Sequence, residues 1–534
     1  MISIGEALVQ YLDAQQVDVI FGIPGVHTIE LYRGLSSSRI RHITSRHEQG
    51  AGFMADGYAR VSGRAGVVFV ITGPGVTNVL TPMAQARADS VPMLIVSGVN
   101  EQASLGLGLG HLHELPDQQA LCGLVACSSA QVRSSEELLP ALDQAFTDFN
   151  AKRPGPAHIE IPIDVMSYPS HGSLEPTLLS TCAHPEETDI KRAAQRLAAF
   201  KSPLILAGGG ARYAGKELQT LAEKLAAPVI LTTRARGLLH KHPLCVPASG
   251  SLQAVRKLIS EADGILAVGT ELSSTDYDIY RRENSPELRG LIRVDICPQQ
   301  LQRQKAEIGL NGDAVTVLAS LNSQVSRTSP GRLQGASYRA FQTRSAARAE
   351  LSEDYRHQLE ILNTIRDTLP GSLLIGDSTQ PIYAGNLYYD HDRAGAWFNS
   401  ATGYGSLGYA IPAAIGAACA APNDTVICIT GDGGAQFSLN ELMTAAQEGL
   451  SIIFMIWNNR GYLEIEHSMV AAEVEVVGCD PLPPGFSAIA EACAMPFHSC
   501  GNTCGAVKTV LGLVSDIVGP VLIEIRAFEE NGRN

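Results

Sequence analysis

The chain has 534 residues, 45% hydrophobic and 18% charged, with a formal net charge of -14 at pH 7. That length needs more than one core, and an acidic chain with no dense Lys/Arg run argues against a nucleic-acid binder. No run of about 18 uninterrupted apolar residues predicts a membrane span, and the 11 cysteines include no CxxC pair, which argues against a zinc site or a disulfide framework.

Taken in chain order, the opening MISIGEALVQYLDAQQ lacks the basic head and apolar run of a secretory signal, and the scattered thiols suit a reducing, cytoplasmic setting. Short β-branched runs then alternate with helical stretches, the pattern of α/β domains with parallel sheets. Strands are predicted at 66–72 (GVVFVIT) and 92–97 (PMLIVS), then at 203–207 (PLILA), 264–268 (GILAV) and 291–295 (LIRVD). Two more are predicted at 425–430 (TVICIT) and 452–457 (IIFMIW). The proline-containing stretch 168–189 and the polar stretch 325–335, where Gly331 follows Pro330, read as linkers. They divide the chain into 1–168, 188–325 and 345–534, three doubly wound parallel-sheet domains. The first and third parts echo each other: Gly57-Tyr58-Ala59 precedes a strand and TGPG, and Gly408-Tyr409-Ala410 precedes a strand and TGDG.

The strand at 425–430 feeds straight into Gly431-Asp432-Gly433-Gly434. Ser438 with Glu441 three residues on is a capping-box pattern, predicting a helix over about 439–448 that Gly449 ends. A right-handed β-α-β unit brings both strand ends to one sheet edge, so Asp432 and Asn459 meet where α/β folds bind ligands. A carboxylate and a carboxamide are hard ligands suited to magnesium, which takes its other ligands from phosphate and water. Gly431, Gly433 and Gly434 let the backbone approach a diphosphate at a helix N-terminus, and the Gly461 carbonyl offers a third oxygen. GDG alone is as readily a tight turn. The 24 residues at 434–457 between it and Asn458-Asn459 turn the reading toward a metal-diphosphate site.

That spacing resembles the thiamine-diphosphate signature of GDG, a gap in the middle twenties and NN, in which the second asparagine binds magnesium; this selects Asn459. Residues 46–60 (RHEQGAGFMADGYAR), 72–78 (TGPGVTN), 153–165 (RPGPAHIEIPIDV), 21–25 (FGIPG) and 403–416 (GYGSLGYAIPAAIG) match in the same order. Across all three parts the chain is similar to acetolactate synthases and related thiamine-diphosphate-dependent decarboxylases. The resemblance implies that the domains are, in order, pyrimidine-binding, central and diphosphate-binding. It implies that Glu48 hydrogen-bonds the cofactor's ring nitrogen N1' and promotes the imino tautomer that removes the C2 proton; Ala51, Phe53 and Met54 would serve as apolar walls that raise its pKa. Gly25, Thr72, Asn78 and Gly405 lie in cofactor-facing motifs, and Leu407 resembles the wedge that bends the cofactor into a V. Glu48 of one chain would meet the Asp432 domain of another, so a homodimer or homotetramer with active sites at the subunit interface is implied.

Departures from acetolactate synthases bear on the reaction. The tryptophan that follows the asparagines there is absent from RGYLEIEHSMV, and RARGLLHKHPLCVPASGS in the central part replaces the FAD-contacting pattern, which speaks against FAD. Gly110-His111-Leu112-His113-Glu114 stands where the synthases have Asp-Ala-Phe-Gln-Glu. Related decarboxylases shuttle protons through histidines, and His111, His113 and His27 are the candidates here, set against a reading of them as partly buried structural histidines. GHLHELPDQ, NNRGYLEIEHSM and VVGCDPLPPGF look most like a subgroup that decarboxylates 5-guanidino-2-oxopentanoate. Glu114, Glu464 or Glu466 would then pair with the guanidinium. The catalytic glutamate of pyruvate decarboxylases falls on Ile465, so that role does not transfer. The expectation is non-oxidative decarboxylation of a 2-oxo acid with thiamine diphosphate and Mg2+. The alternatives are an acetolactate synthase-like or acyloin-forming carboligase, and a nucleotide-binding module built on LILAGGGAR at 204–212.

Overall fold

A computed structural model describes residues 2–171, 175–177, 182–277 and 287–528. The β-branched runs form three six-stranded sheets in which every pairing of named strands is parallel. The first comprises Val19–Gly22, Arg41–Thr44, Gly66–Val70, Met93–Val99, Ser128–Gln131 and Pro156–Pro162. In space these run second-first-third-fourth-sixth-fifth. The third sheet, from Leu373–Gly376 through Trp397–Asn399, Val426–Gly431, Ile452–Asn458, Phe497–Gly501 and Val521–Arg526, repeats that order. The middle sheet differs: its strands lie third-second-first-fourth-fifth-sixth, the order of dinucleotide-binding folds. The expected three doubly wound α/β domains are therefore present, and central strands such as Val426–Gly431 are buried along their whole length, as parallel sheets covered on both faces require.

Two local expectations are corrected. The stretch expected as a linker at 325–335 instead opens a helix, Pro330–Ala349, with Pro330 at its first position. A missing N–H costs nothing there, and the helix buries Ala336, Ala340 and Ala347. The capping box at Ser438 does not form. Ser438 makes no side-chain cap bond, a 3-10 turn Leu439–Glu441 comes first, and the helix is only Leu442–Gln447. Glu441 is drawn away instead, to the backbone of Arg46 in the first domain. Of the other stretch expected as a linker, 168–189, residues 172–174 and 178–181 lie outside the described residues, as do 278–286 of the expected central domain and 529–534 of the third. Among the described residues no helix is long and apolar enough to cross a membrane.

The first and third domains are joined by two helices, Glu48–Ser62 and Ala410–Ala420, that cross backbone to backbone. A Cβ at Gly57 would lie 2.0 Å from the Ala413 carbonyl oxygen, and one at Gly416 only 1.8 Å from that of Met54. Phe53, Met54, Ile411 and Ile415 extend this contact into one shared core. A buried polar cluster completes it: Arg60 bridges Asp56 at 2.5 Å and Asp89 at 2.6 Å, and the Tyr409 hydroxyl donates to Asp56 at 2.5 Å. The echoed glycine-tyrosine-alanine motifs thus lie on or at the head of the two helices that touch. Gly416→Ala is expected to lower stability by about 3 kcal/mol through overpacking. In a solvated helix the same change would stabilise by about 1 kcal/mol, so the sign of the shift in the urea midpoint reports the contact.

Candidate active site

Asp432 begins the short helix Asp432–Ala435 directly after its strand, and Asn459 stands just past the strand Ile452–Asn458. The two strands pair with Gly431 against Trp457, so both residues leave the same sheet edge. The Asn459 backbone N–H donates to Asp432 Oδ1 at 3.3 Å. Its side-chain oxygen lies 3.1 Å from Asp432 Oδ1 and 2.8 Å from the Gly461 carbonyl oxygen. Reversing the amide would turn both contacts into hydrogen bonds, but Gln380 opposes it. Gln380 Oε1 accepts from Trp457 Nε1 at 3.3 Å and from Asn459 Nδ2 at 3.0 Å, so reversal would set two oxygens face to face. Three oxygens therefore converge, and adjacent ligands of an octahedral magnesium at about 2.1 Å lie about 3 Å apart. A carboxylate, a carboxamide and a carbonyl in this arrangement fit a hard divalent cation. Asp432 Oδ2 is buried without a hydrogen-bond partner, and burial raises the carboxyl to about 6 against the backbone N–H groups that lower it. Gly431, Gly433 and Gly434 are buried beside it, Gly433 under the Tyr462 ring.

The loop carrying Leu407 is anchored from two domains. Asp377 accepts from the backbone N–H groups of Ser378 at 2.8 Å and Ala410 at 3.2 Å. Its burial still raises it to about 6. From the first domain, Gln85 accepts from Ser406 Oγ at 2.7 Å and donates to the Thr402 carbonyl at 3.2 Å. Between these anchors Leu407 is half-buried, and Gly405 is exposed at a φ of +77°.

In the first domain, Glu48 opens its helix, and Asn78 Nδ2 donates to Glu48 Oε2 at 2.9 Å, which joins two predicted site residues. Ala51, Phe53 and Met54 are fully buried in the core shared with Ala410–Ala420. Thr72 is buried, and its hydroxyl donates to Gln118 Oε1 at 2.8 Å; the N–H of Gly25 donates to Thr28 Oγ1 at 3.3 Å. The rings of His27 and His113 face each other with centroids 5.3 Å apart, and the Nδ1 of each is buried without a hydrogen-bond partner. Burial, then the charge of His113, lower the His27 pKa, so His27 is neutral near pH 7. His111 is exposed on the same loop. Glu114 accepts from the N–H groups of Leu109 at 3.1 Å, Gly110 at 2.6 Å and His111 at 3.0 Å, which engages both its oxygens in closing that loop. Glu464 heads the helix Leu463–Ala471 and accepts from the Tyr355 hydroxyl at 3.2 Å, with Glu466 half-buried on the same helix.

Sequence reasoning missed Gln380, Asp377, Gln85 and Gln118. Gln380 and Asp377 follow the strand Leu373–Gly376, whose end shares the edge used by Asp432, so strand order could have found them. Gln85 and Gln118 carry no local signal. A cavity of about 1060 Å³ lies between glycines 208–210, Arg234, Asp276 and Asp295 of the central domain and Asp89 and Thr402. Neither Glu48 nor Asp432 lines it.

Residues 2–121 match the N-terminal TPP binding domain of thiamine pyrophosphate enzymes, 190–321 the central domain and 377–525 the C-terminal TPP binding domain. The chain is 42% identical over 497 residues to a probable 2-ketoarginine decarboxylase of Pseudomonas aeruginosa, covering 92% of this chain and 88% of that protein. It is 30% identical over 538 residues to the large subunit of acetolactate synthase isozyme 1 of Escherichia coli, covering 98% and 94%. With a probable acetolactate synthase large subunit of Methanocaldococcus jannaschii it shares 32% over 483 residues, covering 85% and 80%. The chain belongs to the thiamine pyrophosphate enzyme family.

The raised carboxyl of Asp432 has a measurable consequence. Its folded pKa lies above the unfolded value near 3.9, so its ionisation costs stability as pH rises between the two, with the full cost of about 3 kcal/mol present above about pH 6. Asp432→Asn is therefore expected to stabilise chelator-treated protein near neutral pH, the gain fading to nothing toward about pH 4. Urea unfolding at both values checks this, and a variant less stable than wild type near neutrality would contradict it.

Proposed function

We propose that this chain is a thiamine-diphosphate- and Mg2+-dependent decarboxylase of 5-guanidino-2-oxopentanoate, the 2-oxo acid of arginine. The observation that supports it most is the convergence of Asp432, Asn459 and Gly461 oxygens at magnesium-ligand spacing beside a helix N-terminus. Bound thiamine diphosphate would supply the electron sink that lets carbon dioxide leave the substrate. Asp432, Asn459 and the Gly461 carbonyl would hold the metal, with Gly431, Gly433 and Gly434 beside the diphosphate. Glu48, oriented by Asn78, would hydrogen-bond the aminopyrimidine and exchange a proton with it. Leu407, with Gly405 next to it, would support the cofactor's bend, and Gly25 and Thr72 would shape the turns around its pyrimidine. His27 and His113 would relay protons at the substrate end, while the exposed His111 is left without a role.

Glu48 and Asp432 would come from different chains of a homodimer or homotetramer. Large apolar side chains stand exposed on the segments of both half-sites: Val26, Ile29 and Leu112 near the histidines, Phe437 and Ile465 near Asp432. Burying such surface favours association with a second copy. The substrate rests on the identity to the Pseudomonas aeruginosa protein. Glu464 is the carboxylate proposed to face the guanidinium, since Glu114 is engaged by its own loop. RARGLLHKHPLCVPASGS in place of the FAD-contacting pattern of acetolactate synthases speaks against FAD. Free thiols at all 11 cysteines suit a cytoplasmic enzyme.

With both cofactors added, the protein is expected to convert 5-guanidino-2-oxopentanoate into 4-guanidinobutanal and carbon dioxide. Acetolactate from pyruvate would favour the carboligase reading, and failure to consume any 2-oxo acid would overturn both. Losing a charge-assisted partner, Glu464→Gln is expected to raise KM for the guanidino substrate roughly tenfold to a hundredfold. KM for an uncharged 2-oxo acid of similar length should hold, and an equal rise for both would remove Glu464 from the pocket.

A further inference from the structure

Glu441 is fully buried and follows Asp432 in the same strand-turn-helix unit of the third domain. Its carboxylate does not cap its own helix. Both oxygens accept from the backbone N–H of Arg46 in the first domain, at 3.0 and 3.1 Å, and the N–H of His47 faces them too. Thr444 Oγ1 donates to Oε2 at 2.7 Å and Asn440 Nδ2 to Oε1 at 3.2 Å, which fixes the carboxylate from its own side. The approach is close: a Cβ at Gly50 would stand 2.4 Å from Oε1. Arg46 and His47 are the two residues ahead of the helix Glu48–Ser62, with His47 as its N-cap. The cap bond itself is made by His47, whose Nδ1 accepts from the Gln49 N–H at 3.1 Å, so Glu441 acts one step further out and holds the N–H groups of the residues leading into the helix, near the positive end of its dipole. Neighbouring grips run in the same direction, since Arg46 Nη2 donates to Gln447 Oε1 at 2.7 Å and Arg41 pairs with Glu448.

We infer that Glu441 is a positioning residue for Glu48: a clamp from another domain on the two residues that lead into the Glu48 helix, which sets where the Glu48 carboxylate stands and which way it points. It touches neither substrate nor cofactor. The inference rests on the proposed role of Glu48 at the aminopyrimidine, and it adds a residue whose removal acts through Glu48 alone. Such groups act by geometry, and a misplacement of about 1 Å can cost on the order of a hundredfold in rate.

Two measurements test it. In cofactor-free protein, amide hydrogen exchange should show Arg46 and His47 losing protection roughly tenfold or more in Glu441→Gln, while the helix Ala410–Ala420 keeps its protection. In holoenzyme, deuterium exchange at C2 of bound thiamine diphosphate should slow roughly tenfold to a hundredfold. The value of kcat should fall with it, and KM for the 2-oxo acid should stay within about twofold. Glu441→Asp, which keeps the charge, should recover part of the loss, and it serves if the glutamine variant fails to fold. Adding Glu441→Gln to Glu48→Gln should slow C2 exchange no further, as for residues acting as one unit. Unchanged protection at Arg46, or wild-type C2 exchange in Glu441→Gln while Glu48→Gln is slow, overturns the inference. Wild-type C2 exchange in Glu48→Gln overturns the proposed function instead, and the amide-exchange arm then decides by itself whether Glu441 holds the segment.

Discussion

Oxygen atoms from three residues are held about a van der Waals contact apart at the carboxyl edge of the third sheet, and Asp432 Oδ2 there is buried without a hydrogen-bond partner. Parallel pairing of Val426–Gly431 with Ile452–Asn458 brings the backbone there. The Trp457 to Gln380 hydrogen bond then fixes the amide of Asn459 with its oxygen inward. Like dipoles and a carboxylate crowded in a buried setting are unfavourable until a cation joins them, so the arrangement stores a preference for a divalent ion. The raised pKa of Asp432 expresses the same tension in protons. A divalent ion and a proton would compete for this one carboxylate, and the surrounding core must be stable enough to keep it in place.

That stability comes from the contact between the first and third domains. Glycines at 57 and 416 let two helices meet backbone to backbone, and the Arg60–Asp56–Asp89 cluster ties their ends. From the same interface Gln85 reaches out to the Leu407 loop, and Glu441 reaches back to the start of the Glu48 helix. The two domains therefore do not merely share a core. Each sets the position of a loop or helix end on which the other's predicted site residue sits.

How much of this was legible in the sequence depended on range. Asp432 and Asn459 were legible because a β-α-β unit has a nearly forced geometry, so local patterns fix a contact between residues far apart in the chain. Strand runs such as PLILA and GILAV were legible because burial on both faces leaves a continuous apolar signature. Glu441 was misread for the opposite reason. The Ser438–Glu441 spacing fits a capping box, but the partner that wins lies 395 positions away, and no local rule ranks the two. Gln85 and Ser406, 321 positions apart, share that problem. Pro330 followed by glycine reads locally as punctuation, whereas proline is equally at home as the first residue of a helix. Glu114 looked like a charge available to a ligand, and only coordinates reveal the three N–H groups that engage it.

The segments in which this chain departs from acetolactate synthases differ physically from those in which it resembles them. GDGG, the Asn458-Asn459 pair and the Glu48 helix lie at the ends of buried strands or in the shared core, where packing leaves few choices. The loop at 110–114 and the helix Leu463–Ala471 are different. The first is closed mainly by a single glutamate on its own backbone, and the second buries none of its residues. Segments so lightly tied can change side chains at little cost to the fold, whereas the buried sheet edge at Asp432 and Asn459 cannot. A shift from joining two 2-oxo acids to releasing carbon dioxide from one cationic substrate would thus be carried by His113 on one such loop and Glu464 on the other, with the cofactor machinery beneath them unaltered.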